Sequence, residues 1–358
     1  MTFRKLDAAR GLAASVVCVS HIVVAGNASQ PTSVIFHLGS EAVMAFFLLS
    51  GFVIHWASHS KGRFEGARSY FTKRTLRVYS VWVPAMIVTG AITRIEGHWS
   101  PADSWMRGLG NLLMLQDVSF VKPAVICDAL FNNWPLWSMH YEWWFYVAYP
   151  LVIAIEAPKR RTHVVGTLAI LGGVTYVMLP NPLSRLLMYF SIWWIGVEAA
   201  ESMRRSGTVK TNDLILPAVY ASLAILPVAI LCGLVWRSTG VVSVGVHPFL
   251  ETRQFASAIL LLGGAVLWRQ LRWAGFRWTV GPFAAIAPIS FSLYLVHFRA
   301  IATATYLRSA MQNRAIELAA YAAIVIAFCV LAEILFYPWL RRRMLGRRQP
   351  GTVQVLVK

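Results

Sequence analysis

About ten apolar runs follow one another along this chain, most of them long enough to cross a bilayer as a helix, with short basic clusters between them. They fall near 8–26, 39–57, 76–95, 135–155, 163–179, 186–200, 213–235, 254–268, 282–305 and 315–340. Few folds are open to such a chain. In hydrocarbon every backbone N–H and C=O must be bonded within the protein, and runs of this length satisfy that as helices. Composition points the same way: 57% of residues are hydrophobic, 13% are charged and the mean hydropathy is +0.57, whereas about a quarter of a soluble domain is charged. The expected fold class is all-α, a polytopic integral membrane protein with about ten transmembrane helices. Residues 1–340 are expected to form a single transmembrane domain, followed by a basic cytoplasmic tail over 341–358.

The net charge of +18 does not signal nucleic acid, because the basic residues sit in clusters between spans. With the N-terminus inside, about 24 Lys and Arg fall on inner segments and about 9 on outer ones, a bias that orients the chain with both termini cytoplasmic. The basic tail then lies where it can touch anionic lipid. The longest outer connection, 96–134, holds Pro101, Pro123 and an apolar patch over 109–115, and is expected to contain a short interfacial or re-entrant helix. The first run is not read as a cleavable leader, since it lacks a small-residue cleavage site and carries Arg10 and His21. Cys18, Cys127, Cys232 and Cys329 are scattered without metal-ligand spacing, so neither a metal site nor a disulfide is expected. Walker-type loops, Gly-rich dinucleotide fingerprints and G-x-S-x-G elbows do not occur.

The chemistry is therefore sought among polar residues inside the spans. Arg10 and His21 are eleven residues apart, about three turns plus 20°, so they share one face at roughly 16 Å separation. Ionisable groups on one stripe face a protein interior or a wet cavity, because a charge at the bilayer centre costs on the order of 2.5–3.5 kcal/mol even on lenient scales. His21 lies roughly 8 Å below the outer end of its run and Glu142 roughly 10 Å into the fourth. Glu41 opens the second run, and Tyr294 and His297 fall in the outer half of the ninth. An imidazole and a carboxylate at one level make a general base and its orienting partner. Arg10, Arg74 and Arg77 gather at the inner level, where guanidinium groups bind phosphate. A phosphate-bearing donor held there, with its reactive end extended toward His21, has the shape of acyl-coenzyme A.

The order of motifs resembles the membrane-bound acyltransferase 3 family over nearly the whole chain, from Arg10 to about Pro338. Arg10 and His21 match its first-helix signature, and Phe46, Phe47, Ser50 and Gly51 resemble its second. Arg74 and Arg77 followed by Pro84 look like its R-x-x-R stretch. Trp137, Ser138 and Glu142 are similar to its W-S-x-x-x-E element, and Ser290, Tyr294, Leu295 and His297 to its S-x-x-x-Y-L-x-H ending. Met44 stands where many members carry an acid; Glu41 lies one turn earlier.

The resemblance implies transfer of an acyl group, usually acetyl, from cytoplasmic acetyl-CoA or another acyl-CoA to a hydroxyl of a glycan or lipid-linked glycan. The expected setting is a bacterial cytoplasmic (inner) membrane, with no metal. It implies His21 as catalytic base or transient acyl carrier, and Glu142 orienting either His21 or the acceptor. Arg10, Arg74 and Arg77 would hold the coenzyme, and Glu41, Tyr294 and His297 would line the acceptor side. Blander roles remain beside these: Arg74 and Arg77 as positive-inside residues, Ser50 and Ser290 as helix-packing residues, Trp193 and Trp194 as packing or interface anchors. His37, His55, His59, His98, His163 and His247, at span ends or in loops, are expected to carry no chemistry. A proton-coupled transporter or flippase would also use intramembrane His, Glu and Arg, but no internal pseudo-repeat of the kind common in transporters is visible.

Overall fold

The computed structural model describes residues 4–25, 38–60, 62–97, 104–311 and 313–346. Each apolar run overlaps a helix. In chain order the helices are α1 (Arg4–Ala25), α2 (Gly39–Ser58), α3 (Ala67–Ile95), the short α4 (Trp105–Leu112), α5 (Trp137–Ile153), α6 (Pro158–Met178), α7 (Pro182–Ser206), α8 (Thr211–Thr239), α9 (Phe249–Gln270), α10 (Ser290–Met311), α11 (Arg314–Cys329) and α12 (Tyr337–Leu345). Among the described residues the strands are two residues long: β1 (Gln116–Asp117) pairs in parallel with β2 (Cys127–Asp128). Among the described residues, five segments are by themselves long and apolar enough to cross a membrane: Gly39–Ser58, Ala67–Ile95, Thr211–Thr239, Phe249–Gln270 and Ala319–Leu345. On α8 the exposed residues Ile215, Val219, Leu223, Leu226, Ile230 and Leu234 recur every three or four positions, an apolar stripe fit for lipid.

Helix edges depart from the sequence expectation in three places. α3 begins at Ala67, about nine residues before its apolar run, so Lys73, Arg74 and Arg77 ride on regular helix. The ninth run opens with two 3₁₀ turns, Gly281–Ala285 and Ala287–Ile289, and becomes α-helical only at Ser290; Pro282 and Pro288 cannot donate to the helical ladder. The tenth is interrupted by a π-helical stretch, Val330–Phe336. It ends just before Pro338, whose ring would crowd the carbonyl one turn earlier in an α-helix. α12 carries Arg341, Arg342 and Arg343, so the basic segment starts inside a helix; 347–358 lie outside the described residues.

Two glycines let α2 and α7 meet closely. A Cβ on Gly51 would stand 2.0 Å from the Trp193 carbonyl oxygen, and one on Gly196 2.0 Å from that of Leu48. α2 and α7 thus touch backbone to backbone, which no larger residue allows. This seam buries an aromatic core in which Phe47, Tyr141, Tyr189, Trp193 and Trp194 are at most 1% exposed. A third glycine seats α1: a Cβ on Gly11 would lie 1.9 Å from the Phe283 oxygen in the first 3₁₀ turn.

Residues 104–136, between α3 and α5, fold onto the bundle. α4 keeps Trp105, Met106, Leu109, Leu112 and Leu113 exposed, the face an interfacial helix presents, and the Tyr79 hydroxyl donates to the Leu112 carbonyl at 2.6 Å. Beyond it, Asp117 pairs with Lys122 at 3.0 Å and with Arg185 at 3.1 Å. The Arg185 Nε donates to the Tyr141 hydroxyl at 2.7 Å, and the Tyr176 hydroxyl donates to Glu251 at 2.9 Å. Asp117, Lys122, Arg185 and Glu251 are all 3% exposed or less. Burial alone would push the Asp117 carboxyl up, but Lys122, Arg185 and the Tyr141 hydroxyl outweigh it and hold Asp117 below the usual carboxylate range.

Candidate active site

A half-enclosed cavity of about 140 Å³ lies between α1, α2, α3, α5 and α10. Its polar lining is Asp7, Arg10, Arg74, Arg77, Glu142 and Tyr146, with Ser50, Ser138, Ser290 and Tyr294 beside them. The three arginines of the sequence reading thus come together. They are not equivalent. Arg77 is paired with Glu333 and lies over the rings of Phe291 and Tyr337, at 5.0 and 4.9 Å from their centroids. Arg10 donates through Nη2 to the Ala287 carbonyl at 3.0 Å and lies 3.5 Å from the Asp7 carboxylate, but its buried Nε has no partner; the Nε of Arg74 is likewise buried and unpartnered. Two guanidinium groups with unused donors on one cavity wall form a site for an anion.

Glu142 stands on this wall. It accepts from Ser50 Oγ at 2.9 Å and from the Tyr146 hydroxyl, and Trp193 Nε1 donates to Ser50 at 3.2 Å. Ser50, expected as a packing residue, therefore ties α2, α5 and α7 together. The sequence reading placed Glu142 level with His21, whereas its hydrogen bonds and the cavity it lines group it with the arginines. The cause lies in the segment before α5. Residues 130–136 run as 3₁₀ turns already inside the protein, with Leu130, Phe131 and Leu136 buried, and Asn133 donates to the Leu295 carbonyl at 2.9 Å. α5 starts inside the protein, so a depth counted from the edge of the run comes out too shallow.

His21 is met by His297. The His297 Nε2 and His21 Nδ1 are 2.9 Å apart, and Phe298 packs edge-on against the His21 ring at a centroid distance of 5.3 Å. The tautomers follow from the partners. His297 Nδ1 lies 2.9 Å from the Tyr294 carbonyl and 3.1 Å from that of Leu293; both are acceptors, so this nitrogen carries the proton and Nε2 accepts. His21 must then donate through Nδ1, which leaves a lone pair on its Nε2. This is the form a base or nucleophile needs. Tyr294 connects the two levels: it lines the cavity, accepts from Ser138 Oγ at 2.8 Å and donates to the Pro135 carbonyl.

Glu41 is committed to Arg253 of α9, which also donates to Ser40 at 2.9 Å. It sits near the His21 end of α1, where Gly39 N–H donates to Ser20 at 3.2 Å. Sequence reasoning missed Arg253 and Glu333. Glu333 is a charge well inside an apolar run, the signal that singled out Arg10; Arg253 stands just before the run 254–268, two residues from Glu251, where that signal does not reach. It also missed the buried cluster on α2: His55 bonds the Tyr149 hydroxyl at 2.8 Å and Glu201 at 2.9 Å, with Ser58 and His59 beside it. His37 and His98 lie outside the described residues. The four cysteines are unpaired.

A bundle of apolar helices that brings arginines and a carboxylate to one cavity, with a histidine pair on the same helices, is open to group transfer or to transport; family membership decides between them. The chain belongs to the acyltransferase 3 family, whose profile, described as an acyltransferase domain, matches residues 3–334. It is an acyltransferase acting on groups other than aminoacyl groups. Among curated proteins it is similar to Acyltransferase MdmB of Streptomyces mycarofaciens, 27% identical over 351 residues that cover 87% of this chain and 83% of the relative. No solved structure matches.

Proposed function

We propose that this acyltransferase moves an acyl group, acetyl by expectation, from cytoplasmic acyl-CoA to a hydroxyl of a cell-surface or secreted glycan, across a bacterial cytoplasmic membrane that it spans about ten times with both termini inside. The observation that carries the reading is the cavity in which Arg10 and Arg74 keep unpartnered Nε donors. It suits a phosphate-bearing donor, and acyl-CoA supplies phosphates at one end and a thioester at the other.

From that site the roles follow. Arg10 and Arg74 bind the phosphates. Arg77, already neutralised by Glu333, shapes the wall between them. The thioester reaches past Tyr294 toward His21, whose Nε2 lone pair takes the proton of the acceptor hydroxyl or attacks the acyl carbon. Either route needs the ring fixed in one tautomer, and His297 does that through the Nδ1 contact. Glu142 sets the charge of the donor cavity, and Glu41 with Arg253 lies on the acceptor side.

The test is direct. Purified protein given radiolabelled acetyl-CoA and an acceptor glycan should release CoA, and His21→Ala should lower that rate by about 10²–10⁴-fold. Full turnover in this variant, with transport of a solute lost instead, would refute the reading. Mass spectrometry of surface glycans from cells with and without the gene would identify acceptor and acyl group by the mass difference.

A further inference from the structure

A groove of about 640 Å³ lies on the far side of α3 from the cavity, between α3 and the segment that runs from the π-helical stretch into α12. One wall is the α3 stripe Thr72, Thr75, Tyr79 and Val83; the other is Phe336, Leu340 and Met344. Spacings of three and four keep each set on one helix face. From Thr72 to Pro84 the groove is about 18 Å long, close to the ~15 Å hydrocarbon depth of one leaflet.

Arginines stand near the Thr72 end of the groove. Arg68 is exposed one turn before Thr72 on the same stripe. Arg343 precedes Met344, its guanidinium lying 5.2 Å from the centroid of the Trp339 ring. Neither arginine is paired with a carboxylate among the described residues. A second observation lies inside the groove: Ser80, on its lining, is 7% exposed and its hydroxyl has no partner. A buried donor in an apolar slot needs an acceptor that the protein does not supply.

We infer that the groove binds an anionic glycerophospholipid, one acyl chain lying between α3 and the α12 segment and its phosphate held by Arg68 and Arg343. Two bilayer-crossing segments, Ala67–Ile95 and Ala319–Leu345, form the walls, so the chain lies where lipid is the solvent. The arginines select a negative headgroup from it. The ester oxygens, just below the phosphate, fall between Thr75 and Ser80 and give those hydroxyls acceptors. The site holds whichever way the acyl transfer runs; only the name of the leaflet, cytoplasmic, depends on the proposed topology. α3 presents Arg74 and Arg77 to the donor cavity on its other side, so a lipid seated here fixes the helix that carries them.

The experiment uses the whole protein, delipidated in detergent and titrated with mixed micelles of phosphatidylglycerol or of phosphatidylcholine, with bound lipid counted by native mass spectrometry. One phosphatidylglycerol should be retained. Phosphatidylcholine should bind more weakly, and Arg68→Ala and Arg343→Ala should each lower phosphatidylglycerol affinity about fivefold. Thr75→Trp, which fills the slot, should abolish retention, while Leu260→Trp on the exposed face of α9 should not. Equal binding of the two lipids, or no effect of the two exposed arginines, overturns the proposal even if Thr75→Trp fails to fold. Complete displacement by inorganic phosphate would also overturn it, since a phosphate site alone needs no acyl groove.

Discussion

The arginine-lined cavity and the charge network around Asp117 both bury several charged groups, yet the network pairs most of its charges internally and the cavity does not. In the network, Asp117 meets two cations, Arg185 reaches two tyrosine hydroxyls, and Tyr176 closes onto Glu251. Around the cavity, Arg10 and Arg74 each keep a buried N–H without a partner and face open volume. Buried charge that is paired internally stabilises an arrangement; buried charge left incomplete beside a space is completed by what enters it. The first region holds residues 117–122 against α5, α7 and α9. The second is the proposed donor site.

The comparison breaks most sharply at Asp117. Asp117→Ala leaves Lys122 and Arg185 buried without their anion, and is expected to cost about 3–5 kcal/mol of stability, read as a large drop in thermal unfolding temperature in detergent. Turnover per folded molecule should stay near the parent value. Acid should act through the same group. Its folded pKa is depressed, so its stabilisation is complete above the unfolded carboxylate value of about 3.9. It is lost as pH falls through the lower folded value. Unfolding temperature measured against pH should show this acid limb in the parent, and the limb should shrink in Asp117→Asn; an unchanged limb would place the titration elsewhere.

Arg74→Ala should do the reverse. Losing a charged hydrogen bond to the donor costs about 1.5–3 kcal/mol, so the KM for acyl-CoA should rise by about ten- to a hundredfold with unfolding temperature unchanged. A fall in stability with unaltered KM would make Arg74 a structural residue like Arg77. The smallest effect is expected at Ser50→Ala, about 0.5–1.5 kcal/mol. It should divide between stability and kcat, because this hydroxyl links Glu142 to Trp193; calorimetry alongside steady-state kinetics separates the two shares.

Much of the molecule was legible along the chain. The apolar runs found the long helices, and Arg10, Arg74 and Arg77, singled out along the chain, do line one cavity. The close approach of α2 and α7 at Gly51 was not read from the sequence. Helix edges were misjudged where proline works over more than one turn, at Pro282, Pro288 and Pro338. Depth was misjudged for Glu142, because 130–136 enter the protein before α5 begins. His55, placed at a span end, is 1% exposed and bonded on both ring nitrogens.

By itself the sequence determined that this chain must be a bundle of apolar helices, and which of its charges had to be hidden from lipid. Composition and helical period carry that information, since each residue's cost in hydrocarbon is its own. The pairing of those charges was decided only by the tertiary structure: His21 with His297, Arg77 with Glu333, Glu41 with Arg253, Glu142 with Ser50. A helical period fixes a residue's height and face on its own helix, but not which neighbouring helix that face meets or at what level. Those are set by packing contacts such as Gly51 against Trp193 and Gly196 against Leu48, which act between segments far apart in the chain.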